Sequence, residues 1–332
     1  MMKVVRVCHP GGPDALELVD AEKPSPRAGE VLVHARACGV GQVDVLIRRG
    51  VYHEMPPPPA NPGNELAGEI EAVGAGVSDY AVGDKVFIAA RDLPHRGGCY
   101  TEYISVAADV PHKLPSHVSL EEASCLANYQ VAWALLHESI GPQIPKVALI
   151  IGAAGGIGSA LVQLAKAAGM SVLGTVSTDE KADFARRIGV DHVINYRTED
   201  VIDRAMSITS SHGVDVVFDH ACGPDFARYP SILAPWGWLV SYNAFTPLPK
   251  EDLLGALRGN LDNCPAVRIF SFHVFDHHRD ARRRITTNLI ELLAKGALKP
   301  AIGVRLPMSE VRRAHEMLEG GQALGKILLI PN

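Results

Sequence analysis

The rhythm of hydrophobic and polar positions changes twice along the chain. Up to about residue 120, short apolar segments stand between glycines, prolines and aspartates: Gly68 to Val73, Asp84 to Ala89, Tyr103 to Val106. The segment Glu30-Val31-Leu32-Val33-His34-Ala35-Arg36-Ala37 alternates in part, as a half-buried strand does. Met55-Pro56-Pro57-Pro58-Pro59 can form neither a central strand nor a helix interior. Strands continue on both sides of it, so it predicts a stiff surface loop within one domain. At Ser119 the period lengthens. Ser119 before Leu120-Glu121-Glu122-Ala123 predicts a helix with a serine N-cap.

Strands and helices alternate beyond that point. The predicted strands are Val147 to Ile151, Val172 to Val176, His192 to Asn195, Val214 to Phe218, Trp238 to Ser241 and Val267 to Phe270. Predicted helices run from Ile157 to Ala168, Asp179 to Ile188 and Val201 to Thr209. Six strands separated by helical segments predict an α/β fold: a doubly wound, parallel, six-stranded sheet with right-handed crossovers. From about residue 273 the pattern changes again. Ile285 to Leu293 reads as an amphipathic helix stopped at Lys295-Gly296, Ser309 as the cap of a helix ending at Gly320-Gly321, and Lys326 to Ile330 as a last strand. No further nucleotide-binding half follows, so this tail is expected to pack on the first domain. The expected divisions are 1–125, 126–272 and 273–332.

Composition narrows the class. The 332 residues are 47% hydrophobic and 21% charged, enough for about two globular domains. A net charge of −5 offers no global basic surface, so nucleic acid is not the expected partner. No run of about 18 apolar residues predicts a membrane-spanning helix. The opening Met1-Met2-Lys3-Val4-Val5-Arg6 is strand-like and unlike a signal peptide. Six cysteines are scattered without a CxxC pair, which predicts reduced thiols in the cytoplasm.

The first candidate chemistry is a glycine turn. Ile150-Ile151-Gly152-Ala153-Ala154-Gly155-Gly156-Ile157-Gly158 follows a buried strand and opens a helix. Small residues let the backbone approach a pyrophosphate, and a helix N-terminus offers N–H groups and a positive dipole. The register is Ala153-x-Gly155-x-x-Gly158, with alanine at the first glycine position. The candidate cofactor residues here are Ala154, Gly155, Gly156, Ile157 and Gly158. The end of the second strand selects the cofactor. NAD sites carry an acid there for the ribose hydroxyls. This strand ends Gly174-Thr175-Val176-Ser177, and no acid appears before Asp179. Ser177 leaves room for a 2′-phosphate and Lys181 lies one helical turn on, so NADPH is the expected cofactor. Ser177 or Thr178 also reads as a helix cap, and both roles can hold together.

These residues, with others, resemble the medium-chain dehydrogenase/reductase superfamily, and within it the zinc-independent, zeta-crystallin-like quinone oxidoreductases. The resemblance is carried by Cys38-Gly39-Val40-Gly41-Gln42-Val43-Asp44 with Arg48-Arg49-Gly50-Val51-Tyr52, and by Pro62-Gly63-Asn64-Glu65-Leu66-Ala67-Gly68 with Gly83-Asp84-Lys85-Val86. The glycine turn with Gln163 and Lys166, and the ending His315-Glu316-Met317-Leu318-Glu319-Gly320 with Gly325-Lys326, extend it over nearly the whole chain. It implies a GroES-like β-rich catalytic domain, a Rossmann domain, and NADPH-dependent reduction of a quinone or an α,β-unsaturated carbonyl. It places Gly156 and Ile157 at the pyrophosphate, Ser177, Lys181 and Tyr196 at the 2′-phosphate, Asn243 near the nicotinamide, Lys326 among the cofactor residues and Tyr52 facing the substrate. It also implies a homodimer, paired through an apolar edge strand near Val267 to Phe272.

Three positions depart from that family's pattern: Gly41 in place of asparagine, Leu46 in place of tyrosine, and Val131 in place of threonine. The zinc branch needs a cysteine, a His-Glu pair and a third ligand. Cys38 is in place, but Asn64 holds the histidine position and Ala127 the third, so no metal is expected. Tyr52 is the candidate donor to the developing oxyanion, with His220, after the fourth strand, as the alternative acid. His277-His278 and Arg282-Arg283-Arg284 read as the solvated start of a helix, and Trp236 and Trp238 as packing residues. A zinc alcohol dehydrogenase and a non-catalytic NADPH-binding protein are the competing readings.

Overall fold

The computed structural model describes residues 1–141, 145–223, 225–242 and 250–331. Met1–Ala127 with Arg279–Asn332 form one unit, and Asn128–His278 form another. In chain order the first unit begins with strands β1 (Met2–Val7), β2 (Leu16–Ala21), β3 (Glu30–Val40), β4 (Glu65–Val73), β5 (Lys85–Ala89), β6 (Tyr103–Ala107) and β7 (His112–Lys113), with helix α1 (Gln42–Arg48) after β3. Helix α2 (Leu120–Ala123) is capped as its sequence predicts, the Ser119 hydroxyl accepting from the Glu122 amide. Helix α3 (Leu126–His137) follows and belongs, from Asn128 on, to the second unit.

The second unit carries β8 (Val147–Ile150), α4 (Gly156–Ala167), β9 (Ser171–Val176), α5 (Asp179–Arg187), β10 (His192–Asn195), α6 (Val201–Ile208), β11 (Val214–Asp219), β12 (Leu233–Tyr242), α7 (Leu253–Arg258) and β13 (Ala266–Phe270). The tail supplies α8 (Arg279–Ala294), β14 (Ile302–Pro307), α9 (Val311–Glu319) and β15 (Lys326–Ile330) to the first unit.

The six strands of the second unit form one sheet in the order β10-β9-β8-β11-β12-β13, every pairing parallel. This is the doubly wound order in which the winding reverses between the first and fourth strands, here β8 and β11. The strands are apolar runs because helices flank a parallel sheet on both faces. Leu149, Leu173, Ile194, Val217 and Leu239 meet in one core with Val201 and Ala205 of α6.

In the first unit the sheet order is β14-β15-β3-β4-β5-β7, with β6 on β3. Val31, Val33 and Ala35 reach one core at the strand period of two, beside Leu66, Ile70, Val86, Ile88, Ile327 and Leu329. The tail returns as expected: β15 pairs antiparallel with β3, bringing Leu328 opposite Gly39, and β14 runs parallel to β15. No described helix is long and apolar enough to cross a membrane.

Four expectations need correction. Helix α8 starts at Arg279, a turn and a half before Ile285, and Arg282 is not solvated. Its guanidinium reaches Asp92 at 2.7 Å, the two side chains being 7% and 2% exposed. Ser309 caps nothing: a short 3-10 turn, Met308–Glu310, leads into α9 without a side-chain cap. Strand β14 was hidden by Gly303 and Pro307, which read as breakers. Trp236 does not pack. It is 75% exposed with a φ of 66°, in the stretch of β12 where the register against β11 slips. Trp238 does pack, with the Arg268 guanidinium 5.5 Å over its ring.

Burial alone would raise the Asp92 carboxyl, but hydrogen bonds from His112 and Arg282 outweigh it and hold the group below the usual carboxylate range. A depressed carboxyl stabilises the fold above its unfolded pKa and loses that contribution as pH falls through the folded value. Arg282→Met leaves Asp92 buried without its cation and should cost about 3–5 kcal/mol at neutral pH. Denaturant unfolding of the purified variant checks this, and the deficit should shrink in acid.

Candidate functional site

The glycine turn follows β8 directly. Two bonds from Thr175 hold it: the Thr175 hydroxyl accepts from the Gly152 amide at 3.0 Å and its carbonyl from Ala153 at 3.0 Å. Gly158 lets helix and strand close up, since a Cβ there would fall 2.3 Å from the Gly152 carbonyl oxygen. Helix α4 has Gly155 at its N-cap and no side chain capping it. The first N–H groups of a helix have no intrahelical partner, so Gly156 and Ile157 present donors and the dipole's positive end to an anion. No acidic residue stands in the first turn of α4. Ala154, Gly155, Gly156, Ile157 and Gly158 thus lie together at the turn and first turn of α4, with Gly158 packed against the turn.

The next strand supplies the second half. At the end of β9 the Lys181 ammonium donates to the Ser177 hydroxyl at 3.3 Å. Thr178, rather than Ser177, is the N-cap of α5, its hydroxyl accepting from the Lys181 amide. Ser177 is not the cap, and its hydroxyl meets Lys181 instead. Tyr196 joins them because its amide donates to the Val176 carbonyl at 3.1 Å, and its side chain is half exposed. The strand end thus carries a hydroxyl and an ammonium in contact, with no acid before Asp179. Asn243 lies outside the described residues.

The first unit holds the other named residues. Tyr52 is 2% exposed within its core, and Arg96 donates to its hydroxyl at 3.5 Å. Arg96 is itself buried and bound to Glu54 at 3.0 Å. Gly41 and Gly63 both donate to Asp44, at 2.8 and 2.9 Å. Burial pushes the Asp44 carboxyl up to about 6 against those bonds and the Lys326 charge. Glu65 accepts the Ala127 amide at 2.7 Å and pairs with Lys326. Lys326 is buried in this ion pair. Cys38 is fully buried, and burial pushes its thiol up to about 12. Leu46 fills the core with its neighbours instead of offering a polar group, and Val131 is half buried on α3.

Sequence reasoning missed Thr175, Arg96 and Asp44 as site-shaping residues. Thr175 left a trace, as a hydroxyl near the end of an apolar strand. Arg96 left none, because its partner Tyr52 is 44 positions away, and Asp44 gave no sign of its second bond, to Gly63.

Comparisons with known proteins bear on the fold and the family. Residues 27–116 match the Alcohol dehydrogenase GroES-like domain family and residues 156–260 the Zinc-binding dehydrogenase family. The Synaptic vesicle membrane protein VAT-1 homolog of Rattus norvegicus is 33% identical over 97% of this chain and 82% of its own. The Quinone oxidoreductase of Homo sapiens is 30% identical over 99% of this chain and 98% of its own. The crystal structure of Escherichia coli quinone oxidoreductase complexed with NADPH superposes with a TM-score of 0.82 at 30% identity, covering 99% of this chain and all of that one. Fold, turn and relatives together lead to one conclusion: the chain belongs to the medium-chain dehydrogenase/reductase superfamily, in its quinone oxidoreductase-like branch.

Proposed function

We propose that this chain is an NADPH-dependent, metal-independent oxidoreductase that delivers hydride to a quinone or an α,β-unsaturated carbonyl. The observation that carries the cofactor choice is the Ser177–Lys181 pair at the acid-free end of β9. The uncapped start of α4 holds the pyrophosphate and Tyr196 flanks the 2′-phosphate. When bound, NADPH supplies the hydride, and the protein's part is to orient and polarise. Hydride arriving at a conjugated carbon drives negative charge onto the conjugated oxygen. Tyr52 is the donor to that oxygen, a phenol that stays neutral at pH 7 while donating. Arg96 donates to the phenol oxygen and orients it. The six cysteines form no disulfide, in keeping with a cytoplasmic setting.

Cofactor choice is read by Lys181→Ala. Losing a hydrogen bond to a charged group costs about 1.5–3 kcal/mol, so NADPH should bind about ten- to a hundred-fold more weakly. NADH affinity should barely change, and equal losses for both would remove Lys181 from the 2′-phosphate.

Tyr52→Phe, assayed with a quinone and an enone in the presence of chelator, should lower kcat by about ten- to a thousand-fold, as loss of an oxyanion donor does. NADPH binding should persist. Unchanged turnover would take the donor role from Tyr52.

The chain forms a homodimer through β13. That strand ends the sheet with β12 on one side only, and Ile269 on it is 68% exposed. Sedimentation at micromolar concentration should give a dimer, and Ile269→Lys a monomer. A monomeric wild-type chain would refute the pairing.

A further inference from the structure

The hydride reading leaves His220 unused, yet its place in the sheet is distinctive. In an open α/β sheet the ligand lies outside the carboxyl ends of the strands where the winding reverses. Those strands are β8 and β11, paired through Val216–Ala148, Val217–Leu149 and Phe218–Ile150. The glycine turn leaves β8, and His220 follows directly on β11. The two chain segments therefore flank the same crevice.

His220 grips that turn. Its Nδ1 lies 3.1 Å from the Ile151 carbonyl oxygen. A carbonyl can only accept, so Nδ1 carries the hydrogen. The ring also fills the space over Gly152: a Cβ there would fall 2.5 Å from His220 Cε1 and 3.3 Å from Nε2. Gly152 has a φ of 71°, which other residues rarely adopt. The turn is thus held from two strands at once. Thr175 on β9 takes the amides of Gly152 and Ala153, and His220 takes the carbonyl just before them. The histidine is fixed in turn by its neighbours. Asp219 accepts the Ala221 amide at 2.6 Å and the Cys222 amide at 3.3 Å, bending the chain after β11, and the Tyr242 ring lies 6.0 Å from the imidazole.

We propose that His220 is a positioning residue of the dinucleotide site: its bond to the Ile151 carbonyl and its ring over Gly152 set the turn that receives the pyrophosphate. This rests on the cofactor reading above and deepens it. The role differs from that of Lys181 in a measurable way, because the pyrophosphate is common to NADPH and NADH while the 2′-phosphate is not.

The test is titration of the full chain with NADPH and with NADH, for wild type and three variants. His220→Phe keeps a ring over Gly152 and removes the donor. It should weaken both dinucleotides equally, by about tenfold. His220→Ala should weaken both at least as much. His220→Asn keeps an amide donor for the Ile151 carbonyl and should return both affinities to within about threefold of wild type. Melting curves are recorded alongside, and His220→Phe carries the test should the Ala variant not fold. Phe and Ala variants that bind both dinucleotides like wild type would overturn the proposal, as would a loss confined to NADPH. An Asn variant as weak as Phe would also overturn it. A wild-type chain that binds neither dinucleotide would bring down the cofactor reading itself, a result distinct from any variant effect.

Discussion

The approach of helix α4 to the end of β8 is the constraint from which the second unit takes its shape. The Gly152 carbonyl occupies the space that any side chain at Gly158 would need. With that space clear, the helix starts hard against the strand and its first amides open outside the sheet edge. Thr175 can then reach across from β9 to the turn, which fixes where that strand ends. Ser177 and Lys181 lie just beyond that end. The glycine turn and the Ser177–Lys181 pair, to which the proposed function assigns the pyrophosphate and the 2′-phosphate, are thus neighbours through one backbone packing.

Legibility in the sequence followed the range of the interactions involved. The six strands of the parallel sheet were readable as short apolar runs, and in the central β8, β9 and β11 pattern and burial coincide. The cap at Ser119 was readable because the residue and its target lie three positions apart, and at α5 the sequence offered Ser177 or Thr178, of which Thr178 is the cap. Strand β14 was not, since its Gly303 and Pro307 look like breakers until β15 offers a parallel partner. Arg282 read as solvated because Asp92, its buried partner, lies 190 positions earlier. Trp236 read as core because nothing local announces that β12 slips its register there.

The same division runs through the site. The glycine turn and the Ser177–Lys181 pair are local patterns, visible as spacing along one strand-turn-helix passage. The Asp44 clamp on the Gly41 and Gly63 amides is not, because it joins two segments through a single carboxylate. Arg96 beside Tyr52 is likewise a meeting of distant loops. Lys326 is placed by a distant partner as well. Its motif is local and familiar, but its ammonium is engaged by Glu65. Burial raises the Glu65 carboxyl and would lower the lysine, yet the carboxylate's charge holds Lys326 above its ordinary value. Such a pair tolerates loss of neither member, since each would leave the other buried and uncompensated.

That pair joins β4 to the last strand of the chain, and β15 pairs with β3. The unit that begins at the N-terminus is therefore closed by residues near the C-terminus. On the ribosome, where chains emerge N-terminus first, Val31, Leu66 and Ile88 are made long before Ile327 and Leu329, with which they share a core. The second unit, continuous in sequence, has every strand of its sheet available while the first still waits for its final one. The order of synthesis and the order of completion are thus inverted: the sheet begun first is finished last.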